Sequence, residues 1–284
     1  MPYLITGATG PVGRSIVTQL RNIGQDVRIV TRDVRKAPVG VEALQGDFTK
    51  GDLPSRAFED VNRVFLFPAQ GGVDAFLKQA KTARVEQIVV LSSLTAAMEF
   101  ERDKTPLIAL HHLAIEKAVI ASGIPYTFLR PGSFANNLLP LWAHPIQTGD
   151  TVYGPYANSV QVNIHEADIA AVAVIALTQD GHKGKAYPLT GPEALTRIEQ
   201  LNMIEAAIGK KLRFQEIPAD VFQKEMEKYM PLPVIKLLLD YWSDTLTVPE
   251  VVLPTVEQLT GHKGRTLAQW AKDHASDFSP LART

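Results

Sequence analysis

The run Thr6-Gly7-Ala8-Thr9-Gly10-Pro11-Val12-Gly13 sets three glycines three residues apart, between an apolar run, Pro2 to Thr6, and an amphipathic one, Pro11 to Leu20. A strand that turns into a helix through such glycines is built to hold a diphosphate. Gly7 permits a tight turn with positive φ, Gly10 lets the backbone approach the phosphates, and Gly13 lets the helix lie close on its strand. Pro11 suits the first helical position, where the N–H it lacks has no intrahelical partner. The N–H groups left free at this helix start, together with the positive end of the helix dipole, would hold the anion. Gly7, Thr9, Gly10, Pro11, Val12 and Gly13 are therefore the first candidate contacts of a dinucleotide. Three spaced glycines also occur in purely structural turns. The strand before and the helix after favour the cofactor.

The next chemistry lies about 20 residues on, where dinucleotide folds carry an acid for the ribose 2′-hydroxyl. After the second strand, Gln25 to Thr31, this chain has Arg32, with Arg35 and Lys36 close by. A cation there matches a 2′-phosphate, so NADP(H) is expected, with Arg32 and Lys36 as contacts. Two other readings remain open: Arg28, Arg32, Arg35 and Lys36 as a solvated basic face, and Asp33 as the ribose acid.

These residues need a scaffold, and the chain supplies a repeating one. Strand patterns at Val41 to Leu44, Val61 to Phe67, Gln87 to Ser92 and Ile124 to Leu129 alternate with helical patterns near Pro54–Phe58, Val73–Ala83 and Leu107–Ser122. Alternation of this kind predicts an α/β, Rossmann-type doubly wound parallel sheet whose ligands bind at the carboxyl ends of the strands. Past residue 134 the pattern becomes Pro-punctuated and aromatic, as in Leu139-Pro140-Leu141-Trp142 and Tyr153-Gly154-Pro155-Tyr156, with a helical region from Val221 to Trp242. A helix from Ile164 to Leu177 and a strand at Ala186 to Thr190 return to the sheet. The expected division is a core of residues 1–133 with return segments at about 159–192, and a small C-terminal substrate lobe of 134–158 and 193–284.

With 284 residues, 45% of them hydrophobic, the chain can bury a full core. A net charge of −1 with no basic block argues against a nucleic-acid surface. The chain has no cysteine, which excludes thiolate chemistry and disulfides. The longest apolar run, Ile169 to Leu177, is too short to span a bilayer, and no leader pattern precedes the first strand, so a cytoplasmic protein, monomer or homodimer, is expected. His111 and His112 point about 100° apart on a helix and cannot share a metal, and the other histidines are scattered, so no metal is expected. No nucleophile elbow accompanies the serines, which argues against a hydrolase.

The chain resembles the NmrA-like group of atypical short-chain dehydrogenases/reductases, and within it the type 2 NAD(P)H:quinone oxidoreductases and triphenylmethane reductase. The residues that carry the resemblance are Thr6-Gly7-Ala8-Thr9-Gly10-x-x-Gly13, Gly46-Asp47-Phe48, Leu91-Ser92-Ser93, and His112 to Glu116 running into Ser122 to Gly132. It implies that Asp47 and Phe48 contact the adenine. It further implies that Phe67, Pro68, Ser92, His112, Pro131 and Phe134 line the ribose and nicotinamide, and it leaves Ser92 and His112 as catalytic candidates.

One departure from the wider superfamily matters. There a Tyr protonates the substrate oxygen, and a Lys four residues later on the same helix face depresses the Tyr pKa. Here Ile108 and His112 fall at those places, and no tyrosine has a lysine four residues on. Tyr126 has Arg130 at that spacing, but on a strand the two lie about 13 Å apart. A flat conjugated acceptor such as a quinone survives this loss, because positioning can carry its reduction. A non-catalytic NADP(H) sensor of the NmrA type is the other reading. Phe134, Leu138, Trp142, Tyr153 and Tyr156 would wall an apolar cleft for a small aromatic substrate, or form plain core. Asn136 and Asn137 would supply polar contacts there or cap a helix.

Overall fold

The computed structural model describes residues 1–99 and 107–279. Its strands are β1 (Tyr3–Ile5), β2 (Val27–Thr31), β3 (Glu42–Gln45), β4 (Arg63–Leu66), β5 (Gln87–Leu91), β6 (Tyr126–Pro131), β7 (Thr151–Gly154), β8 (Val160–Gln161), β9 (Lys185–Leu189), β10 (Leu195–Thr196) and β11 (Arg213–Glu216). Its helices are α1 (Pro11–Asn22), α2 (Val73–Thr82), α3 (Leu107–Ser122), α4 (Leu138–Thr148), α5 (Glu166–Thr178), α6 (Arg197–Ile208), α7 (Ala219–Met226), α8 (Leu232–Thr247), α9 (Thr255–Thr260) and α10 (Leu267–Asp273).

The first of two compact units comprises Met1–Pro131, Glu166–Leu189 and Thr255–His262. It holds one sheet in the order β3-β2-β1-β4-β5-β6-β9, parallel at every pairing. From β1 the chain winds outward to β3, then crosses back to β4 on the other side of β1. The strand order therefore reverses beside β1, and the glycine turn leaves from that switch point. On one face α2 and α3 cover a core that includes Phe76, Leu77, Ile115 and Val119, beside Val64, Leu66 and Ile88 of the strands. On the other, α5 packs against α1 and touches β4, β5 and β6. Nearly every residue of α5 is buried, as a helix apolar on all sides must be.

The second unit comprises Gly132–His165, Thr190–Pro254 and Lys263–Thr284. Its core joins Trp142, Ile146, Leu201, Ile204, Trp270 and Phe278, with a smaller cluster of Phe222, Ile235 and Trp242. Here local patterns misled. Leu139 to Trp142 lies in α4, whose first turn accepts Pro140 and which carries Pro145 inside. The helical region from Val221 to Trp242 is two helices, parted where Pro231 precedes α8. The parallel pair β7 with β11 joins segments some 60 residues apart, which no local pattern announces.

The division also differs in detail from the expected one. The return to the sheet begins at Glu166 rather than near 159, because Ile164 pairs with Phe134 and Asn163 packs on Gly191 inside the second unit. Thr255–His262 joins the first unit because α9 packs on α5 and beside β9. No helix among the described residues is long and apolar enough to cross a membrane.

Candidate active site

The turn after β1 has the geometry its glycines suggest. Gly7 sits at φ +65°, and a Cβ there would lie 2.7 Å from the Phe67 Cβ. A Cβ on Gly13 would overlap the Gly7 carbonyl oxygen and lie 2.9 Å from the Ala8 Cα, so α1 rests directly on the turn. Gly10 differs: its nearest neighbour would be the Gly7 oxygen at 3.4 Å, so nothing in the protein fills the space a side chain would take. The Gly10 N–H donates to the Gly7 carbonyl and its own carbonyl accepts from Arg14. Gly10 caps α1 without a side-chain hydrogen bond, and Pro11 follows, so Val12 and Gly13 present their N–H groups at an open helix end. Thr6 ties the turn to β4: its hydroxyl donates to the Phe65 carbonyl and accepts from the Phe67 N–H.

The basic cluster resolves into different jobs. Arg28 is buried, pairs with Glu42 and donates to the Arg56 and Glu59 carbonyls, so it is no part of a solvated face. The Asp33 carboxylate accepts from the Arg35 backbone and from its guanidinium at 2.8 and 2.9 Å. That bonding holds Asp33 below the usual carboxylate range and occupies it, against its reading as a ribose acid. Arg32 and Lys36 remain exposed, with no ion pair to any described residue. The Arg32 charge reaches Asp47 and helps lower its pKa, after the larger effect of the Thr49 hydroxyl.

Asp47 and Phe48 sit at the start of a single 3-10 turn. The Asp47 carboxylate caps it, accepting from the Thr49 N–H and hydroxyl. The Phe48 ring is half-buried edge-on against Phe76, 5.4 Å between centroids. A groove of about 460 Å³ runs along Thr49–Gly51, Ala69, Gly71–Gly72 and the His111 side of α3. Neither Asp47 nor Phe48 lines it. Phe67 lies just past the end of β4, where the sequence had placed it in the strand, and is exposed beside Gly7.

Ser92 and His112 are not arranged as two proton donors. Ser92 is buried and its hydroxyl donates to Glu116 at 2.6 Å; Glu116, 2% exposed, also accepts both prongs of Arg130 at 2.9 and 2.6 Å. The proton of Ser92 is committed, and the group it completes fastens the ends of β5 and β6 to α3. Glu116 and Arg130 had no assigned role in the sequence, because a glutamate inside a helix reads as surface. Pro131, the last residue of β6, is buried next to this clamp.

Burial, reinforced by His111, lowers His112 to about 4 against a weaker opposing pull from Glu116. The ring is therefore neutral at physiological pH, and its Nδ1 is buried with no hydrogen-bond partner among the described residues. It is His111 whose Nε2 lies 3.0 Å from the Pro68 carbonyl, tying α3 to the loop after β4. Ile108 is 45% exposed.

A pH effect follows. Above pH 6.5 His112 is neutral in both folded and unfolded chains; between 6.5 and about 4 only the unfolded chain takes the proton. Stability therefore falls as pH drops through that window, by about 3 kcal/mol at its foot. Urea unfolding at pH 7 and 4.5 measures it, and the difference shrinks in His112→Gln.

Of the expected cleft residues in the second unit, Leu138 and Trp142 line a small cavity, with Asn137 beside them. Tyr153 points out, 56% exposed, and Phe134 and Tyr156 do not line the cavity. Asn137 precedes α4 without a capping hydrogen bond, against the capping reading. The sequence missed another residue that lines this cavity, Arg197.

Residues 3–267 match the model of the NmrA-like family. The chain belongs to the NmrA-like family. A relative in this sense is the (4-alkanoyl-5-oxo-2,5-dihydrofuran-3-yl)methyl phosphate reductase of Streptomyces griseus, 36% identical over 98% of this chain and 99% of its own. The NAD(P)H azoreductase of Xenophilus azovorans is 33% identical over 97% and 98%. The crystal structure of an NADPH-dependent quinone oxidoreductase from Escherichia coli superimposes with a TM-score of 0.77 at 25% identity, covering 95% of this chain and 98% of that one.

Proposed function

We propose that this NmrA-like protein is an NADPH-dependent reductase that delivers hydride to a flat conjugated acceptor without a tyrosine acid. It is an NAD(P)H-dependent oxidoreductase, and NADPH supplies the hydride. The observation that carries the reading is the division of labour among the cations: Arg28 and Arg35 are taken up internally, while Arg32 and Lys36 stand exposed past β2. In this reading the backbone from Gly7 to Gly13 cradles the diphosphate, Thr9, Pro11 and Val12 included. Arg32 and Lys36 take the 2′-phosphate, and Asp47 and Phe48 lie by the adenine. Phe67, Pro68 and His112 face the ribose and nicotinamide, with Ser92 and Pro131 holding that end in place.

The site is short of acid. The Ser92 hydroxyl donates its hydrogen bond to Glu116, His112 is neutral, and Ile108 stands at the tyrosine's place. Such a site suits an acceptor that spreads its new negative charge over its own atoms. A quinone does so, and so does a ring alkene shared by two carbonyl groups, the arrangement named in the Streptomyces griseus reductase. A simple ketone needs general-acid help worth roughly 10²–10⁴-fold and is a poor substrate here.

The test is NADPH oxidation against quinones, azo dyes, doubly activated butenolides and simple ketones. Turnover of one of the conjugated classes, with ketones at least 100-fold slower in kcat/KM, is the expected result. Wild-type protein that binds NADPH but reduces no member of the panel overturns the reading in favour of an NADP(H) sensor. In the same assays NADPH binds at least tenfold more tightly than NADH, a difference of about 1.4 kcal/mol. Arg32→Ala removes most of it. Equal affinity for both cofactors in the wild type refutes the role of Arg32.

A further inference from the structure

One cation of the first unit stands where its own helix opposes it. Arg14 is the fourth residue of α1, and its side chain, like every side chain on a helix, leans toward the N-terminus. It is exposed, and the first turn of α1 holds no acid to pair with it. Among the described residues its guanidinium has no ion pair; its one hydrogen-bond partner is the Thr9 carbonyl, 3.5 Å from Nη2, too long for a firm bond. A positive charge leaning over the first turn meets the positive end of the helix dipole. An anion bound there removes the conflict.

Two neighbours on α1 fix the side to which this charge belongs. Arg21, seven residues on, is nearly in line with Arg14 along the helix and donates to the Val39 and Gly40 carbonyls, on the stretch that leads into β3. Gln19 lies about 140° round the helix from Arg14 and donates to the Ala167 carbonyl at the start of α5. The flank of α1 that carries Arg14 therefore faces the β2–β3 side of the sheet, away from α5. A crossover helix runs back against its strands, so the Arg21 end lies by the start of β3 and the Arg14 end by the finish of β2. Arg32 is the next residue after β2. Arg14 is thus brought to the corner between the glycine turn, where Thr9 holds it loosely, and the end of β2. The acids beside Arg32 are already engaged, Asp33 by Arg35 and Asp47 by Thr49.

We infer that Arg14 is a third cation for the 2′-phosphate of NADPH and so a determinant of the preference for NADPH over NADH. The inference rests on the reading above, in which the 2′-phosphate lies by Arg32 and Lys36. Those two approach it from β2 and Arg14 approaches it from α1, so the phosphate is gripped from two elements. A guanidinium offers two parallel N–H groups to phosphate oxygens, and the long contact to Thr9 is little to give up. NADH, with a free 2′-hydroxyl, leaves Arg14 nothing to hold.

The test titrates full-length wild type, Arg14→Ala, Arg14→Lys and Arg32→Ala with NADPH and NADH by fluorescence. Calorimetry with adenosine 2′,5′-bisphosphate and with ADP separates the 2′-phosphate from the diphosphate. Arg14→Ala is expected to weaken NADPH and the bisphosphate about fivefold and to leave NADH and ADP unchanged. Arg14→Lys keeps the charge without the fork and recovers part of the loss. The position is exposed and alanine is the best helix former, so the variant is expected to fold; should it not, Arg14→Lys carries the test, with a smaller loss confined to NADPH and the bisphosphate. A loss for NADH equal to that for NADPH assigns Arg14 to the diphosphate and overturns the inference. NADPH affinity within about twofold of wild type in Arg14→Ala overturns it as well. Arg32→Ala judges the underlying reading: an intact preference for NADPH in that variant means that the 2′-phosphate is not held by Arg32. Loss of the preference in Arg32→Ala with none in Arg14→Ala overturns the role of Arg14 alone.

Discussion

Gly13→Ala is expected to weaken NADPH binding by at least 100-fold, about 2.7 kcal/mol, and to destabilise the first unit. The added methyl would lie 2.7 Å from the Gly7 carbonyl carbon and 2.9 Å from the Ala8 Cα, both backbone atoms that cannot swing aside. Helix α1 must lift off the turn, at an overpacking cost of about 1–3 kcal/mol, and the diphosphate cradle opens with it. Gly10→Ala separates structure from binding. Its Cβ meets nothing nearer than 3.4 Å, and its φ of −84° suits alanine, so the fold should be unchanged. A loss of NADPH affinity of tenfold or more in this variant, by fluorescence titration, is then the mark of a ligand lying against Gly10. Unchanged affinity in Gly10→Ala places the cofactor elsewhere, and wild-type affinity in Gly13→Ala denies that the turn is its cradle.

Glu116→Gln is expected to lower stability by about 3 kcal/mol, the foot of the range for breaking a buried ion pair, because the Arg130 side chain is still 23% exposed and can find water. Glutamine offers one acceptor oxygen where the carboxylate serves Ser92 and both prongs of Arg130. Its amide hydrogens meet those donors head-on. Adding Arg130→Met to Glu116→Gln should recover at least 1 kcal/mol, since the second change removes the stranded charge. Urea unfolding of the two variants measures both effects. A loss below about 1 kcal/mol for Glu116→Gln would mean that the clamp fixes geometry without contributing to stability. Because the clamp joins the ends of β5 and β6 to α3, the KM for NADPH should rise even at temperatures where the variant stays folded.

Much of the first unit was written in local order along the chain. The glycine spacing, the alternation of strand and helix and the cation after β2 are properties of short segments, and a parallel sheet built from successive crossovers keeps neighbours in sequence near in space. That is why the turn, the parallel sheet and the position of Arg32 follow from the residues alone. The same logic breaks where partners are distant. Asp33 and Arg28 sit within five residues of Arg32, yet only their bonds to Arg35 and Glu42 show that Asp33 is occupied and that Arg28 is no part of a solvated face. Ser92 reads as a catalytic hydroxyl until Glu116, 24 residues on, is seen to accept its hydrogen bond. His112 reads as an acid until its burial is known, because the sequence carries no measure of desolvation. In the second unit, β7 pairs with β11 across a long insertion, and Arg197 looks like an ordinary helix-surface cation. Only the packing of Trp142, Phe214 and Trp242 around it removes it from water. The sequence by itself determined the sheet and its glycine turn, which depend on local pattern. Tertiary structure alone decided which charged and polar groups are spent on the protein and which are left for a ligand, because burial and long-range pairing set their protonation and their partners.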